Sequence, residues 1–487
     1  MKKLQDLLYG VAIERIVGST AIAVKAIEFD SRKVEKESLF VAQKGVISDG
    51  HDFISSAITK GAVAIICEEL PEVCTPGVVY AVVENASKAL GQMAANFYDT
   101  PSKKLTLVGI TGTNGKTTIA SLLYELYSAL GYPCGLISTV KIAYPNKVWD
   151  NSHTTPDALT LNKHLAAMIE AGVSYCFMEV SSHGIAQHRT TGLTFAGGVF
   201  TNLTHDHLDY HGDFKTYRDI KKLFFDQLPH TAFALTNLED KNGLFMLQNS
   251  KAKKYSYALK QHADFKAQIL ECEFSGMLLK VQDQEVWTSL VGEFNTQNLL
   301  AVYAVAELLG ATALEVLKQL SLLKPIRGRF ETFQANDHIT VVIDYAHTPD
   351  ALENVLDTIN KIRTKNETLI TVVGCGGNRD REKRPLTGKK AAALSDKVIF
   401  TSDNPRDENP TQIISEIMEG VAPEDFRKVL KVTDREEAIA VAGTLAKPGD
   451  IVLIAGKGHE TYQEIEGKKI PFDDMQIAQK IFLNSKA

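Results

Sequence analysis

The stretch LTLVGITGTNGKTT, residues 105–118, is a β-branched apolar run that breaks into a glycine loop and then into a helical pattern. Ile119, Leu122, Leu123 and Leu126 recur at i, i+3, i+4 and i+7, and Gly131 is the expected stop. Strand, glycine loop and helix in this order form a unit whose backbone N–H groups can cradle phosphate oxygens. The loop runs Gly112, Thr113, Asn114, Gly115, Lys116, Thr117, Thr118. Lys116 is placed to pair with β- and γ-phosphates, and Thr117 to offer its hydroxyl to Mg²⁺. Ile110 stands where the strict GxxxxGK[ST] pattern needs glycine. The alternative is therefore a glycine-rich βα turn.

Working outward, the buried-type strands VSYCFMEV (173–180) and FAGGVFTNL (195–203) follow. Residues 331–487 repeat the alternation with ITVVIDY (339–345), TLITVVG (368–374), KVIFTS (397–402) and DIVLIAG (450–456). Apolar strands alternating with helices predict mostly parallel sheets covered on both faces. Residues 1–100 read as a small mixed α/β domain, with SLFVA (38–42), AVAIIC (62–67) and VVYAVV (78–83) as strands and 86–98 as a helix. DTPSKK (99–104) reads as a linker. The chain divides into three α/β domains, 1–100, 101–330 and 331–487.

A net charge of −6 and a pI near 6.1 give no basic bias toward nucleic acid. No run approaches the ~18 apolar residues of a membrane span, and the charge-broken start has no signal-peptide core. The six cysteines form no CxxC, as in a reduced, cytoplasmic protein.

Nearly every apolar run of the last two domains ends in chemically capable residues: GTNGKTT, EVSSH, TNLTHDH, DYAHTP, GCGGNRD, TSDNPR and AGKGHE. Ligands of open α/β sheets bind at the carboxyl ends of strands, so two such edges facing one cleft are expected. Glu179 and His207, at neighbouring strand ends, could hold a metal; the alternative is a hydrogen-bonded His/Asp loop. Ser181 lacks the G-x-S-x-G elbow of a nucleophile and reads as a substrate-positioning donor with Gln187 and Arg189. Lys221, taken alone, reads as a solvated helix lysine. Thr348 and Pro349 read as helix cap and first turn, which leaves Asp344 and His347 unexplained by capping.

GTNGKTT, EVSSHGIAQHR, TNLTHDHLDYH, FNTQN, GRFE, DYAHTPDALE, DNPR and GKGHE, in this order, resemble the Mur ligases of peptidoglycan synthesis across essentially the whole chain. The family's own loop carries GTNGKT, so Ile110 is no departure from it. The resemblance implies a UDP-sugar domain, a central P-loop ATPase and a Rossmann-like C-terminal domain. It implies ATP and Mg²⁺ as cofactors, UDP-N-acetylmuramoyl-L-Ala-D-Glu and meso-diaminopimelate as partners, a cytoplasmic monomer, and neither nucleic acid nor membrane.

By resemblance, the catalytic set is Lys116, Glu179, His207 and a carbamylated Lys221, with Thr117, Glu179, His207 and Lys221 at the metals. Asn295, Asn298, Arg329, Asp344 and His347 join the glycine loop at the nucleotide. Phe29, Ser31, Val46, Ile47, Ser48, Thr154, Thr155, Ser181, Gln187 and Arg189 face the UDP-sugar dipeptide. Arg379, Asp403, Asn404, Pro405, Arg406, Gly456 and Glu460 form the diaminopimelate pocket. Members with DNPR take diaminopimelate, whereas lysine-adding relatives lack this arginine. A group that bonds a substrate carboxylate and stays unpaired without it gives strong discrimination. The rival expectations are an L-lysine-adding member, a folylpolyglutamate synthase-like ligase, an inactive ATP-binding regulator and a nucleic-acid-dependent ATPase.

Overall fold

The computed structural model describes residues 1–45, 48–151 and 153–484. Three sheets organise the chain, of five, eleven and six strands. In the first, Ala26–Glu28, Ser38–Val41, Ala62–Cys67 and Val79–Val83 run parallel, and Ile13–Val17 closes the edge antiparallel. The Ala86–Phe97 helix covers this sheet with Leu90, Met93 and Ala94, and packs its other side on the Ala158–Glu170 helix.

The eleven-stranded sheet has Thr106–Thr111 near its middle, flanked by Tyr175–Glu179 and Gly197–Phe200, all parallel. Register places Glu179 opposite Ile110 and Phe200 opposite Thr111, so both flanking strands end level with the glycine loop. Antiparallel hairpins extend both sides, Lys141–Tyr144 with Lys147–Asp150 and Gly276–Val281 with Gln284–Thr288. Their short alternating runs are not among the strands read from the sequence. The Glu293–Leu308 helix is apolar nearly all round because it lies between this sheet and the Lys116–Ala129 helix.

In the third sheet, Thr340–Asp344, Ile451–Ala455, Leu369–Val373, Lys397–Phe400 and Val429–Lys431 run parallel, and Glu331–Gln334 pairs antiparallel at the edge. All four strands expected there are present. The doubly wound reading therefore holds for this part, and mostly parallel α/β sheets hold for the whole chain. No described helix is long and apolar enough to cross a membrane.

The expected linker 99–104 is a packed joint. Pro101 and Ser102 are buried in a single 3₁₀ turn, and Ser102 Oγ accepts the Thr194 N–H at 3.0 Å. Its polar composition serves turn geometry, since Asp99 and Thr100 both take left-handed φ.

In the last sheet, the fully buried Arg435 bonds Asp474 through Nε and Nη2, both at 2.8 Å, and Nη2 also donates to Ala455 O at 2.9 Å. This pair ties two helices to the end of a central strand. Asp474→Asn would leave the guanidinium buried without its counter-charge. The expected loss is about 3–5 kcal/mol of stability, read as a shift in urea midpoint at constant m-value. A shift below 1 kcal/mol would show that the pair is not needed for folding.

Candidate functional site

The glycine loop is held by the neighbouring strand end. Thr113 N–H donates to Asn202 O at 2.8 Å, Asn114 N–H to Asn202 Oδ1 at 2.9 Å, and Thr201 Oγ1 donates to Asn114 O at 2.6 Å. Gly112 has φ +147°, and a Cβ there would lie 1.9 Å from Thr201 Oγ1. Only glycine permits this approach.

Lys116 folds back on its own loop, donating to Gly112 O at 2.9 Å and Thr113 O at 2.6 Å. Lys221 donates to the same Gly112 carbonyl at 2.8 Å. The reading of Lys221 as a solvated helix lysine is overturned, because its residue is 1% exposed. The reason is the helix face: Tyr217, Lys221, Phe224 and Phe225 point together into the core. Burial, then the neighbouring Lys116 charge, holds the Lys221 amine well below the usual lysine range. Burial also lowers Lys116.

Glu179 ends its strand fully buried and accepts from Thr139 N–H at 2.7 Å and Thr139 Oγ1 at 3.2 Å. Among the described residues it makes no salt bridge. A buried carboxylate that makes no salt bridge among the described residues and whose charge acts on Lys116 of the glycine loop fits an oxygen-liganded Mg²⁺. His207 sits in left-handed backbone beside Asp206 at 3.4 Å, its ring 4.9 Å from that of His183. Burial lowers the His207 pKa, which keeps the imidazole neutral and able to donate a lone pair.

Around Glu179 the structure gathers Thr154, Thr155, Ser181, Gln187 and Arg189, the residues expected to face the UDP-sugar dipeptide. Thr155 Oγ1 donates to Glu179 O at 2.9 Å, Ser181 N–H donates to Thr155 Oγ1 at 3.0 Å, and Thr139 Oγ1, with its proton on Glu179, accepts from the Thr154 hydroxyl at 3.0 Å. Arg189 donates to Thr155 O at 2.6 Å and through Nε and Nη2 to Gln187 Oε1. Ser181 Oγ also caps a short helix by accepting Gly184 N–H at 3.1 Å. Phe29, Ser31 and Ser48 lie on the first domain, and no hydrogen bond joins them to this wall among the described residues. Val46 and Ile47 lie outside the described residues.

A cleft of about 330 Å³ separates the second and third sheets. Gly115, Thr118, Asn295, Asn298, Arg329 and His347 line it, so the residues named for the nucleotide converge there. Arg329 spans the cleft. Its guanidinium stacks 4.5 Å from the Tyr345 ring centroid, and Nη2 reaches Thr117 Oγ1 at 3.4 Å. Asp344 accepts from Phe330 N–H at 2.6 Å and Ala346 N–H at 2.7 Å, while burial pushes its carboxyl up to about 6. A second link across the cleft joins His205 Nε2 to Asp380 at 3.0 Å.

The DNPR turn, expected to frame the diaminopimelate pocket, is tied to the GKGHE loop and to the hairpin after it. Asn404 donates to Glu460 at 2.8 Å, and the fully buried Lys457 donates to both, at 3.0 Å to Asn404 Oδ1 and 2.8 Å to Glu460. Asp403 packs so closely on Gly456 that a Cβ there would meet its Oδ2 at 2.7 Å. Arg406, at φ +52°, donates from Nε to Glu464 at 3.1 Å and from Nη1 to Gly377 O at 2.7 Å. Arg379 is exposed and bonds only Asn378 O, at 3.3 Å, among the described residues. Pro405 O accepts the Glu408 N–H at 3.0 Å, shaping the turn.

Family models match three successive stretches: the Mur ligase family catalytic domain over residues 23–98, the Mur ligase middle domain over 110–306, and the Mur ligase glutamate ligase domain over 328–458. The chain belongs to the Mur ligase family. A curated relative from Cytophaga hutchinsonii, a UDP-N-acetylmuramoyl-L-alanyl-D-glutamate–2,6-diaminopimelate ligase, is 54% identical over 98% of this chain and 99% of its own. A solved structure of an enzyme with the same name superposes with a TM-score of 0.69 at 32% identity, covering 99% of this chain and 98% of that one. Folylpolyglutamate synthase from Mycobacterium tuberculosis, at 19% identity and a TM-score of 0.62, covers 76% of this Mur ligase and 92% of its own chain, and shares its fold.

Three features of this Mur ligase pocket escape the motif reading. Lys457 stands in GKGHE between two glycines, a signal of close backbone packing. The hairpin of Tyr462–Ile465 and Lys468–Pro471 turns at Glu466 and Gly467, both at positive φ, as a two-residue turn requires. Arg384, fully buried, clamps Glu408 at 2.9 and 3.0 Å and Gly376 O at 3.2 Å, pinning the two loops that frame DNPR.

The Arg384 guanidinium, hydrogen-bonded to Glu408, holds that carboxyl down at about 2, from an ordinary 4.5. A folded pKa below the unfolded value contributes stability that is present above the unfolded pKa and lost as pH falls toward the folded one. The melting temperature of the wild type is therefore expected to fall from pH 4.5 toward 2 more steeply than that of Glu408→Gln. Parallel curves would show that the clamp carries no pH-dependent stability.

Proposed function

We propose that this Mur ligase joins an amine of meso-diaminopimelate to the side-chain carboxylate of the D-glutamyl residue in UDP-N-acetylmuramoyl-L-Ala-D-Glu, with ATP cleaved to ADP and phosphate. The observation that carries the reading is Arg406 of DNPR, a guanidinium presented at the strand ends beyond the nucleotide cleft, with Nη2 making no hydrogen bond among the described residues. Residues 1–100 take the UDP-sugar, 101–330 the ATP, and 331–487 the incoming amino acid. The enzyme works in the cytoplasm as a monomer.

A carboxylate is a poor acyl donor because oxide is a poor leaving group. Transfer of the γ-phosphoryl group to a carboxylate oxygen gives an acyl phosphate and ADP. The amine lone pair then attacks the carbonyl carbon, the tetrahedral intermediate expels phosphate, and the nitrogen loses a proton. Phosphoryl transfer depends on positioning and charge neutralisation. Lys116 and the loop N–H groups hold the phosphates, and Arg329 closes on them from the opposite wall. Asn295 and Asn298 with Asp344 and His347 orient the nucleotide. Arg189, Gln187, Thr154 and Thr155 hold the acceptor with its carboxylate turned to the phosphates.

Thr117 and Glu179, with His207, would hold Mg²⁺, which supplies positive charge at the phosphate oxygens. Lys221 belongs to this set as a carbamate. Burial and the neighbouring Lys116 charge hold its pKa well below the usual lysine range, which favours the nucleophilic form of the amine. It adds to CO₂, forming an N–C bond and releasing a proton, and so becomes an anion suited to metal ligation.

Phosphate release that needs ATP, the UDP-dipeptide and meso-diaminopimelate together tests the reading. Release with L-lysine instead would keep the ligase and overturn the role of DNPR, and release with neither would overturn the reading. Arg406→Ala is expected to lower kcat/KM for diaminopimelate by about 2–5 kcal/mol, the scale of breaking a buried charge pair; an unchanged value removes Arg406 from the pocket. Lys221→Ala is expected to lose activity and regain part of it with added short carboxylic acids, and full activity without them would rule out the carbamate.

A further inference from the structure

We infer that Thr139 is a positioning residue for the metal: it grips both oxygens of the Glu179 carboxylate from the neighbouring strand end and ties that grip to Thr154. The inference rests on the reading above, in which Glu179 holds Mg²⁺ and Thr154 holds the acceptor, and it deepens that reading by naming the group that aims the carboxylate.

Strand register brings Thr139 to this place. Cys134–Ile137 pairs parallel with Tyr175–Glu179, with Ile137 opposite Met178, so the turn after the first strand meets the end of the second. A fully buried serine braces that turn. Ser138 N–H donates to Lys141 O at 3.0 Å, Lys141 N–H donates to Ser138 Oγ at 3.2 Å, and Asn151 Nδ2 donates to Ser138 O at 2.7 Å. The hairpin of Lys141–Tyr144 and Lys147–Asp150 thus leads out of the turn and back to it, and Thr139 is fixed at its root.

Thr139 meets each carboxylate oxygen once. Its N–H donates to Glu179 Oε1 at 2.7 Å and its hydroxyl to Oε2 at 3.2 Å. No other hydrogen bond reaches these oxygens among the described residues. A carboxylate offers about four lone-pair sites. Donors from one residue on both oxygens fix its plane and leave the other sites to a cation. A hydroxyl has a single proton. With that proton on Glu179, Thr139 Oγ1 can only accept from Thr154, whose hydroxyl lies at 3.0 Å. The chain from Thr154 through Thr139 to Glu179 therefore has one direction, and the Thr139 hydroxyl is held at both ends. Two neutral donors offset only part of the cost of burying an ionised carboxylate. The remainder is met by a cation on the side that Thr139 leaves open.

The test measures Mn²⁺ binding to the full-length enzyme without nucleotide, by loss of the free-ion electron paramagnetic resonance signal. Thr139→Val keeps the backbone donor and removes the hydroxyl. It is expected to raise the Mn²⁺ Kd by about tenfold or more, Thr139→Ser to stay within about threefold of the wild type, and ADP binding in EDTA to stay within about twofold in both. Thr154→Val, which frees the Thr139 hydroxyl to rotate, is expected to raise the Mn²⁺ Kd by about two- to tenfold, the range for one hydrogen bond. An unchanged Mn²⁺ Kd in Thr139→Val overturns the inference, and an unchanged one in Thr154→Val overturns the link to the acceptor residue. Equal losses of Mn²⁺ and ADP affinity would make Thr139 only a support of the fold, which also overturns it. A Glu179→Gln enzyme that binds Mn²⁺ as the wild type does fails the functional reading itself, which is a separate outcome.

Discussion

Lys116 and Lys221 share one backbone acceptor, the Gly112 carbonyl, at 2.9 and 2.8 Å. Burial disfavours the charge on both amines, and the Lys116 charge disfavours that of Lys221, with Asp206 opposing the shift at each. That constraint shapes the centre of the molecule. It requires glycine at 112, because the loop must lie against Thr201 and Asn202 for its carbonyl to face inward. It requires the Phe214–Asp226 helix to present lysine on its apolar face. It also leaves the Lys221 amine lowered by burial and by the Lys116 charge, while Glu179, buried and hydrogen-bonded by Thr139, acts on Lys116 from the neighbouring strand end. This cluster of buried charged groups around the glycine loop is where phosphates and metal are proposed to bind.

The third domain solves the opposite problem. Its pocket is rich in charge, but nearly every charge is answered. Arg435 is bound to Asp474, Arg384 to Glu408 and Glu416, and Lys457 to Asn404 and Glu460. Buried pairs of this kind contribute little net stability but penalise every arrangement that breaks them. They fix the strand ends around the Arg406–Glu464 pair.

Most of this was readable from strand endings. The P-loop unit and the parallel strands follow from the apolar runs and from the rule that ligands meet the carboxyl ends of strands, whereas Asn295, Asn298, Arg329 and His347, which line one cleft, are named for the nucleotide by the family resemblance alone. Lys221 was misread from composition alone because a lysine in YRDIKKLFF looks solvated. Yet its spacing to Tyr217, Phe224 and Phe225 already placed it on the apolar face. The hairpin after GKGHE was missed because its strands are short, polar and half-exposed, and its turn signal, Glu-Gly, is weak. The buried joint at Pro101–Ser102 was hidden by linker-like composition, because small polar residues pack as readily as they dangle when a turn is fixed. Packing between domains has no periodic trace, so Phe29 and Ser31 can be named from motifs but not placed against the Arg189 wall.

The cleft between the second and third sheets has walls from both, and Arg329 crosses it to reach Thr117. A molecule seated there acts as a removable cross-link. The walls are already joined directly by Arg329 with Thr117 and by His205 with Asp380, and a molecule bound to both adds to those links. Whatever binding energy it spends on both walls also resists its departure after reaction. In such an arrangement the spent nucleotide, rather than the new amide bond, is the natural brake on the cycle.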